Sequence, residues 1–434
     1  MGCSDTDLIA AINASNGMVG GDTLSLTSYC VYTMTDADGQ LPQIIQPLII
    51  HGNNATIRRD PAATTNFRIF RVGATSLTMD TLTVMNGNAG GSQGGGVLLN
   101  TTNASLITTG VNFQGNRAST GGGIAAGPHT TLSVTGGTIS DNHAPNGGGG
   151  ILAFGSVPVT LNSVTISGNR TRAIGGGLYF SSVSSPAIIM NSTIRDNTAQ
   201  QQGGGINYSG SSSLSVTGTA ITDNLVPQSF NGGGGILFNP LAGATATIAD
   251  SMISGNTVTG WTTPDGFSNR GGGIFSLGGS LTLNHTRVTG NRLIGTSGQG
   301  AGIAAEGLLS AATLTLQQDT AVTGNLASGR YSQGAGLYAD TSTNGLTVSV
   351  DGSHIDANKV TGTGSAVAGV YNNGGTFSFS NVSSVNNNTA PLAPAPGGVY
   401  TTVAITTVDA GTTFTGNTPT NCLLSPQPVT NCSG

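Results

Sequence analysis

Residues 113–151 read FQGNRASTGGGIAAGPHTTLSVTGGTISDNHAPNGGGGI, and the order of phrases in this stretch decides the fold. An apolar residue stands three places before an asparagine twice, at Phe113 with Asn116 and at Ile139 with Asn142. Between them lie Gly121-Gly122-Gly123-Ile124 and the alternating run Leu132-Ser133-Val134, and a second glycine run ends at Ile151. Period-two alternation of this kind marks a strand with one buried face.

Outward from this stretch the same phrases cover the chain. The asparagines are Asn88, Asn116, Asn142, Asn169, Asn197, Asn224, Asn256, Asn291, Asn325, Asn358, Asn388 and Asn417, spaced by 26 to 35 residues. The glycine triplet before an aliphatic residue recurs through Ile274, then decays to Gly-Ala-Gly before Ile303 and Leu337. A repeat of 26 residues is too short for a propeller blade of about 40 to 45. Three short strands per repeat, stacked in parallel, bury one face of each strand. The expectation is an all-β, right-handed, three-sided parallel β-helix of roughly 12 coils. Asparagines at one inward corner of successive coils form a hydrogen-bonded ladder that fixes register. Glycine triplets serve a second corner, where the backbones approach closely.

Both ends of such a solenoid need covers. Residues 5–14 place Leu8, Ile9 and Ile12 on one helical face after a Thr6 cap, which makes a short capping helix. Past Asn417 the repeat stops, and Pro419, Pro426 and Pro428 break strand pairing. The organisation expected is a cap with first coils over 1–60, repeats over 61–418 and a C-terminal cap over 419–434, all in one continuous domain.

Composition agrees. Of 434 residues, 70 are Gly and 7% are charged, against about 25% charged in an average domain. With 36% hydrophobic residues and a mean hydropathy of +0.07, the chain is not of the disordered class. One Gly in six excludes a helical globule, at about 1 kcal/mol per helical glycine. Net charge is -5, from 18 acids and 13 bases, which disfavours nucleic acid as a partner. No apolar run reaches the roughly 18 residues of a transmembrane helix. Cys3 and Cys30 lie near the start, and Cys422 and Cys432 near the end. Two local disulfides, Cys3–Cys30 and Cys422–Cys432, are favoured over free thiols and point to an oxidising, secreted or cell-surface setting.

Two sets of motifs carry a resemblance. The opening segment, with Leu8-Ile9-Ala10-Ala11-Ile12-Asn13, Gly21-Asp22-Thr23-Leu24, Cys30-Val31-Tyr32-Thr33 and Leu41-Pro42-Gln43-Ile44, resembles bacterial secreted parallel β-helix proteins of the pectin-lyase-like type. The Gly-Gly-Gly-Ile and apolar-x-x-Asn repeats are similar to those of chlamydial polymorphic outer-membrane proteins, which are surface adhesins. The resemblance implies the fold and a bacterial extracellular location, and it leaves function open, because such solenoids host lyases, hydrolases, adhesins and fibres.

Site candidates follow from the residues. Asp196 and Asp223 occupy equivalent repeat positions, where two carboxylates suit a glycosidase pair, but their column is mostly turn formers and reads as a corner. Asp351, His354 and Asp356 are an oxygen and imidazole set, outweighed by the reading as ordinary surface polar residues. An outward column of Thr78, Ser133, Thr160, Ser215, Thr247, Thr282, Thr315, Thr347 and Ser378 hints at an ice-binding face. The favoured candidate is the corner loop after each asparagine. From asparagine to aliphatic residue takes 8 or 9 positions in the first five coils, 12 after Asn224, 18 after Asn256 and 11 or 12 thereafter. These insertions make a ridge holding Phe230, Trp261, Phe267, Arg270, Arg292, Arg330 and Tyr331, suited to a glycan or a surface protein. The competing role for its aromatics is packing back over Leu237, Phe275 and Tyr338. The reading is a non-enzymatic, adhesin-like or structural protein with no catalytic residue, metal or cofactor assigned. Its alternatives are a polysaccharide lyase or hydrolase of the pectin-lyase-like superfamily, and ice binding.

Overall fold

The computed structural model describes residues 2–434 apart from 230, 231, 242, 261–268, 342, 343, 363, 392–394 and 424. The chain is a parallel β-solenoid of about 13 turns with one short N-terminal helix, and it divides into two compact units, Met1–Ala199 and Gln200–Gly434.

In the first unit the helix spans Asp5–Asn16 and buries Leu8 and Ile12 completely, while Ile9 is half-buried. Its cap is Ser4, whose Oγ accepts from the Asp7 N–H at 3.1 Å. Thr6, expected in that role, is an exposed residue of the first turn; an oxygen two places earlier reaches the free N–H groups because the helix starts earlier. Cys3 is joined to Cys30. At the other end Asn16 donates to the Gln43 carbonyl at 2.8 Å and accepts from the Ile45 N–H at 3.0 Å. The helix is thereby sewn to the first coils at both ends.

The coils then repeat one plan. Strands after the glycine triplets, Val97–Leu99, Ile124–Ala126, Ile151–Phe154 and Leu178–Val183, pair in parallel. Alternating strands Ser105–Thr109, Thr131–Thr135, Val159–Asn162 and Ala187–Met190 form the next file. The strands before each asparagine, such as Thr138–Ser140 and Thr165–Ser167, form a third. A fourth station went unread in the sequence: short strands just after the asparagine, such as Arg170–Thr171 and Thr198–Ala199. Two-residue strands carry no period that a pattern can register. The second unit repeats the plan, with triplet strands from Ile206–Gly210 to Val399–Thr401. In every file one set of alternate apolar side chains points to the axis, and Leu132, Val134 and Ile139 are fully buried.

The asparagine ladder runs inside each unit. Asn142 shows its grammar: its backbone N–H and its Nδ2 both donate to Asn169 Oδ1, at 3.0 and 2.9 Å. The same Nδ2 donates to the Phe113 carbonyl at 2.9 Å. Every polar atom of the buried amide is therefore used. In the second unit the chain of amides passes from Asn224 through Asn256, Asn291, Asn325, Asn358 and Asn388 to Asn417. Asn421 ends it, accepting from Asn417 N–H and Nδ2 at 3.1 and 2.9 Å and donating to the Ser433 carbonyl at 2.8 Å. The adjoining disulfide is Cys422–Cys432. Asn88 does not belong to the ladder: it pairs in register with Arg117, and the ladder place is Gly87, whose N–H donates to Asn116 Oδ1 at 2.9 Å. The repeat shifts by one residue there, and Asn88 instead donates to Asn66 at 2.8 Å.

The glycine corner and the ladder are one construction. A Cβ on Gly123 would lie 2.9 Å from the Gly150 carbonyl oxygen and 3.2 Å from Asn142 Nδ2, so the third glycine of a triplet is the floor on which an amide rests. The middle glycine faces the strand after the asparagine; a Cβ on Gly122 would lie 2.7 Å from the His143 nitrogen. From the coil of Ile303 onward that place becomes Ala301, Ala335 and Ala368, buried with Val258, Leu293 and Val360 in a small apolar core, whereas the long corners after Asn224 and Asn256 keep Gly234 and Gly272.

Candidate functional site

The long corners belong to the second unit. Phe230, Trp261 and Phe267 lie outside the described residues. Arg292 opens the strand Arg292–Ile294 and is exposed. Arg330 is exposed as well, and its guanidinium lies 5.6 Å from the centre of the Tyr331 ring. Tyr331 is 54% exposed at a φ of 64°, a left-handed backbone that is unfavourable for a bulky side chain and concentrates at sites of binding.

Arg270 turns the other way. Its short strand Asn269–Arg270 pairs with Gly298–Gln299, and its Nε–H donates to Gln299 Oε1 at 2.9 Å. The same Nε lies 2.7 Å from Glu306 Oε1. One Nε–H serves one directed bond, so the contact with Glu306 is a meeting of charges, and neither Glu306 oxygen has a hydrogen-bond donor among the described residues. Glu306 is 1% exposed and stands in register beside Asp340 of the next coil. Burial pushes its carboxyl up from 4.5 to about 7; Arg270 opposes that rise and Asp340 adds to it. The Tyr338 hydroxyl donates to Asp340 Oδ2 at 3.2 Å, and burial, then the Asp340 charge, raises it far above the usual tyrosine range. This cluster was not found in the sequence: a lone glutamate on a strand of alanines gives no sign that Arg270 of the preceding coil will meet it.

Leu237, Phe275, Ala304 and Tyr338 form one outward column in register, and all are buried. The Arg270 guanidinium lies over Phe275 at 5.8 Å. Tyr338, Tyr371 and Tyr400 stack at 5.5 and 5.0 Å with planes within 13°. The Tyr371 ring has both faces covered by its neighbours, so the column packs on itself. The ridge is thus divided: Arg270 holds down a covered face, while Arg292, Arg330 and Tyr331 face solvent.

The weaker candidates resolve as structure. Asp196 and Asp223 have φ of 57° and 55°, and Asp141, Ala357 and Asn387 in equivalent places have 56°; the column is a left-handed corner. Asp351 accepts from Ser380 at 2.7 Å, and Asp356 accepts from Ser384 at 2.7 Å. His354 meets Ser384 at 2.8 Å and Asp319 at 3.0 Å. Ser384 links His354 and Asp356, Asp351 is engaged separately by Ser380, and the three form no group that could hold a metal among the described residues.

The Ser/Thr face is sharper than its sequence suggested. Register in the second unit gives two files, Ser213, Thr245, Ser280, Thr313, Thr347 and Thr376 beside Ser215, Thr247, Thr282, Thr315, Ser349 and Ser378. Thr347 belongs to the first file and Ser349 replaces it in the second. The interruptions Ile107 and Ile188 lie in the first unit.

Fold and surface define a disulfide-braced parallel β-solenoid with an internal amide ladder. A scan against models of protein families, and searches of curated proteins and of solved structures, find no match.

Proposed function

We propose that the protein acts outside a bacterial cell as a non-catalytic, adhesin-like or structural solenoid. It binds a glycan or a surface protein through the corner presenting Arg330 and Tyr331, with the insertions that hold Phe230, Trp261 and Phe267. The observation that carries this is Tyr331: an aromatic ring held outward on an unfavourable backbone, with a guanidinium against it, is a pre-formed contact. The two disulfides support an oxidising location, and the repeat phrases support kinship with surface adhesins. The test is binding of the full chain to a glycan array and to cell surfaces. Tyr331→Ala and Trp261→Ala should each lower binding about tenfold; variants that bind like the parent overturn the assignment. Reproducible cleavage of acidic or neutral polysaccharides, with calcium present, overturns its non-catalytic part and favours the pectin-lyase-like alternative.

The paired Ser/Thr files support a second reading, ice binding. They set hydroxyls on a grid of about 4.8 by about 6.6 Å, regular over six coils. Thermal hysteresis that Thr282→Tyr abolishes is the expected outcome, and its absence in the parent protein removes this reading.

A further inference from the structure

We propose that the first unit carries a cationic ladder for a linear polyanion, and that the ligand is an acidic polysaccharide. Arg117 pairs in parallel register with His143, and His143 with Arg170, so three basic side chains stand in one column at about 4.8 Å per coil. The column lies just past the asparagine ladder, where the corners are short and regular. Arg172 stands two residues beyond Arg170, near enough that its charge acts on the His143 ring together with those of Arg117 and Arg170. The three arginines are exposed and His143 is half-buried.

None of these guanidiniums has a side-chain partner among the described residues. Among the described residues the ion pairs are His51–Asp80, Arg195–Asp196, Arg270–Glu306, His285–Asp250 and His354–Asp319. Asp141, two residues from His143, belongs to the adjacent column of left-handed corner residues. In a chain with 13 bases and a net charge of -5, this crowding of like charge is unfavourable unless something answers it. Burial, then the charges of Arg117, Arg172 and Arg170, hold the His143 ring below the usual histidine range.

The ligand follows from the repeat. One cation per coil calls for one anion per step of similar length, on a chain that spans several coils. A run of uronic acid rings carries one carboxylate per ring, and an arginine fork grips a carboxylate through two parallel hydrogen bonds. A nucleic acid strand would also need a run of aromatic platforms for its bases, and the column offers only the half-buried His143 ring. This ladder lies in a different unit from Tyr331 and takes a ligand of defined charge, so either assignment can fail while the other stands.

The experiment is calorimetric titration of the full chain with polygalacturonate oligomers at low salt, beside single-stranded DNA and polyglutamate. The parent should bind polygalacturonate, and Arg117→Gln with Arg170→Gln should weaken binding about thirtyfold and lower the salt slope by about two. In NMR the His143 titration should move to higher pH when polygalacturonate is added. Binding unchanged in the double variant, or a His143 titration that does not move, overturns the ladder. DNA or polyglutamate binding as tightly as polygalacturonate overturns the polysaccharide.

Discussion

Replacing Glu306 by Gln should make the protein more stable at alkaline pH while changing little at pH 4.5. Glu306 is almost fully buried, lacks a hydrogen-bond donor and meets Arg270 only through charge. Its carboxyl is raised from 4.5 to about 7, so the folded state holds the proton more tightly than the unfolded chain does. Stability from this group is complete below pH 4.5, falls between pH 4.5 and 7, and stays low above. At about 1.4 kcal/mol per tenfold change in proton affinity, the loss is about 3 kcal/mol. Gln keeps the shape of the neutral acid and has nothing to titrate. Urea unfolding of parent and Glu306→Gln chains from pH 4.5 to 8, read as the difference between them, cancels all other carboxyls. That difference should grow by about 3 kcal/mol in favour of the variant. Arg270→Gln, which removes the opposing charge, should extend the parent's decline to higher pH; Asp340→Asn should shorten it. A pH-independent difference, or a variant that loses ground as pH rises, would refute the reasoning and show that the Arg270 contact outweighs burial.

Three further outcomes test the architecture. Asn291→Ala removes the acceptor of two bonds from Asn256 and the donor to Ile253 and Asn325; it should cost about 3 to 5 kcal/mol in urea unfolding, whereas Asn88→Ala should stay within about 0.5. Gly150→Ala sets a methyl 2.7 Å from the Gly177 carbonyl oxygen and 3.2 Å from Asn169, for a loss of about 3 kcal/mol, while Ala335→Gly should lose only about 1. Cys3→Ser with Cys30→Ser opens a loop of 27 residues and should lower stability by about 3.5 kcal/mol, visible as a lower melting temperature that reductant reproduces in the parent.

What was legible in the sequence is what repeats. Asn142 could be placed because its spacing to Asn169 recurs, and because a buried amide in a stack has one way to satisfy all of its bonds. Cys3–Cys30 and Cys422–Cys432 were legible because each pair is local. Asn88 was misplaced by a one-residue shift: the strand before it keeps the common pattern, and only the pairing of Gly87 with Asn116 reveals the slip. Thr347 was assigned to the wrong file for the same reason, since a strand of alternating hydroxyls offers two registers and hydrogen bonds choose between them. The site is less legible than the fold because its residues break the repeat. Glu306 meets Arg270 from the short strand Asn269–Arg270, a station that breaks the common plan of the coils. Arg117, His143 and Arg170 are the reverse case. Each sits at the same offset from its asparagine, so the repeat does align them, but a basic residue at an exposed corner reads as ordinary until three coils show it without a counter-charge. In a solenoid, a column is the unit in which chemistry is written; a side chain unremarkable in its own coil acquires a function from the coils above and below it.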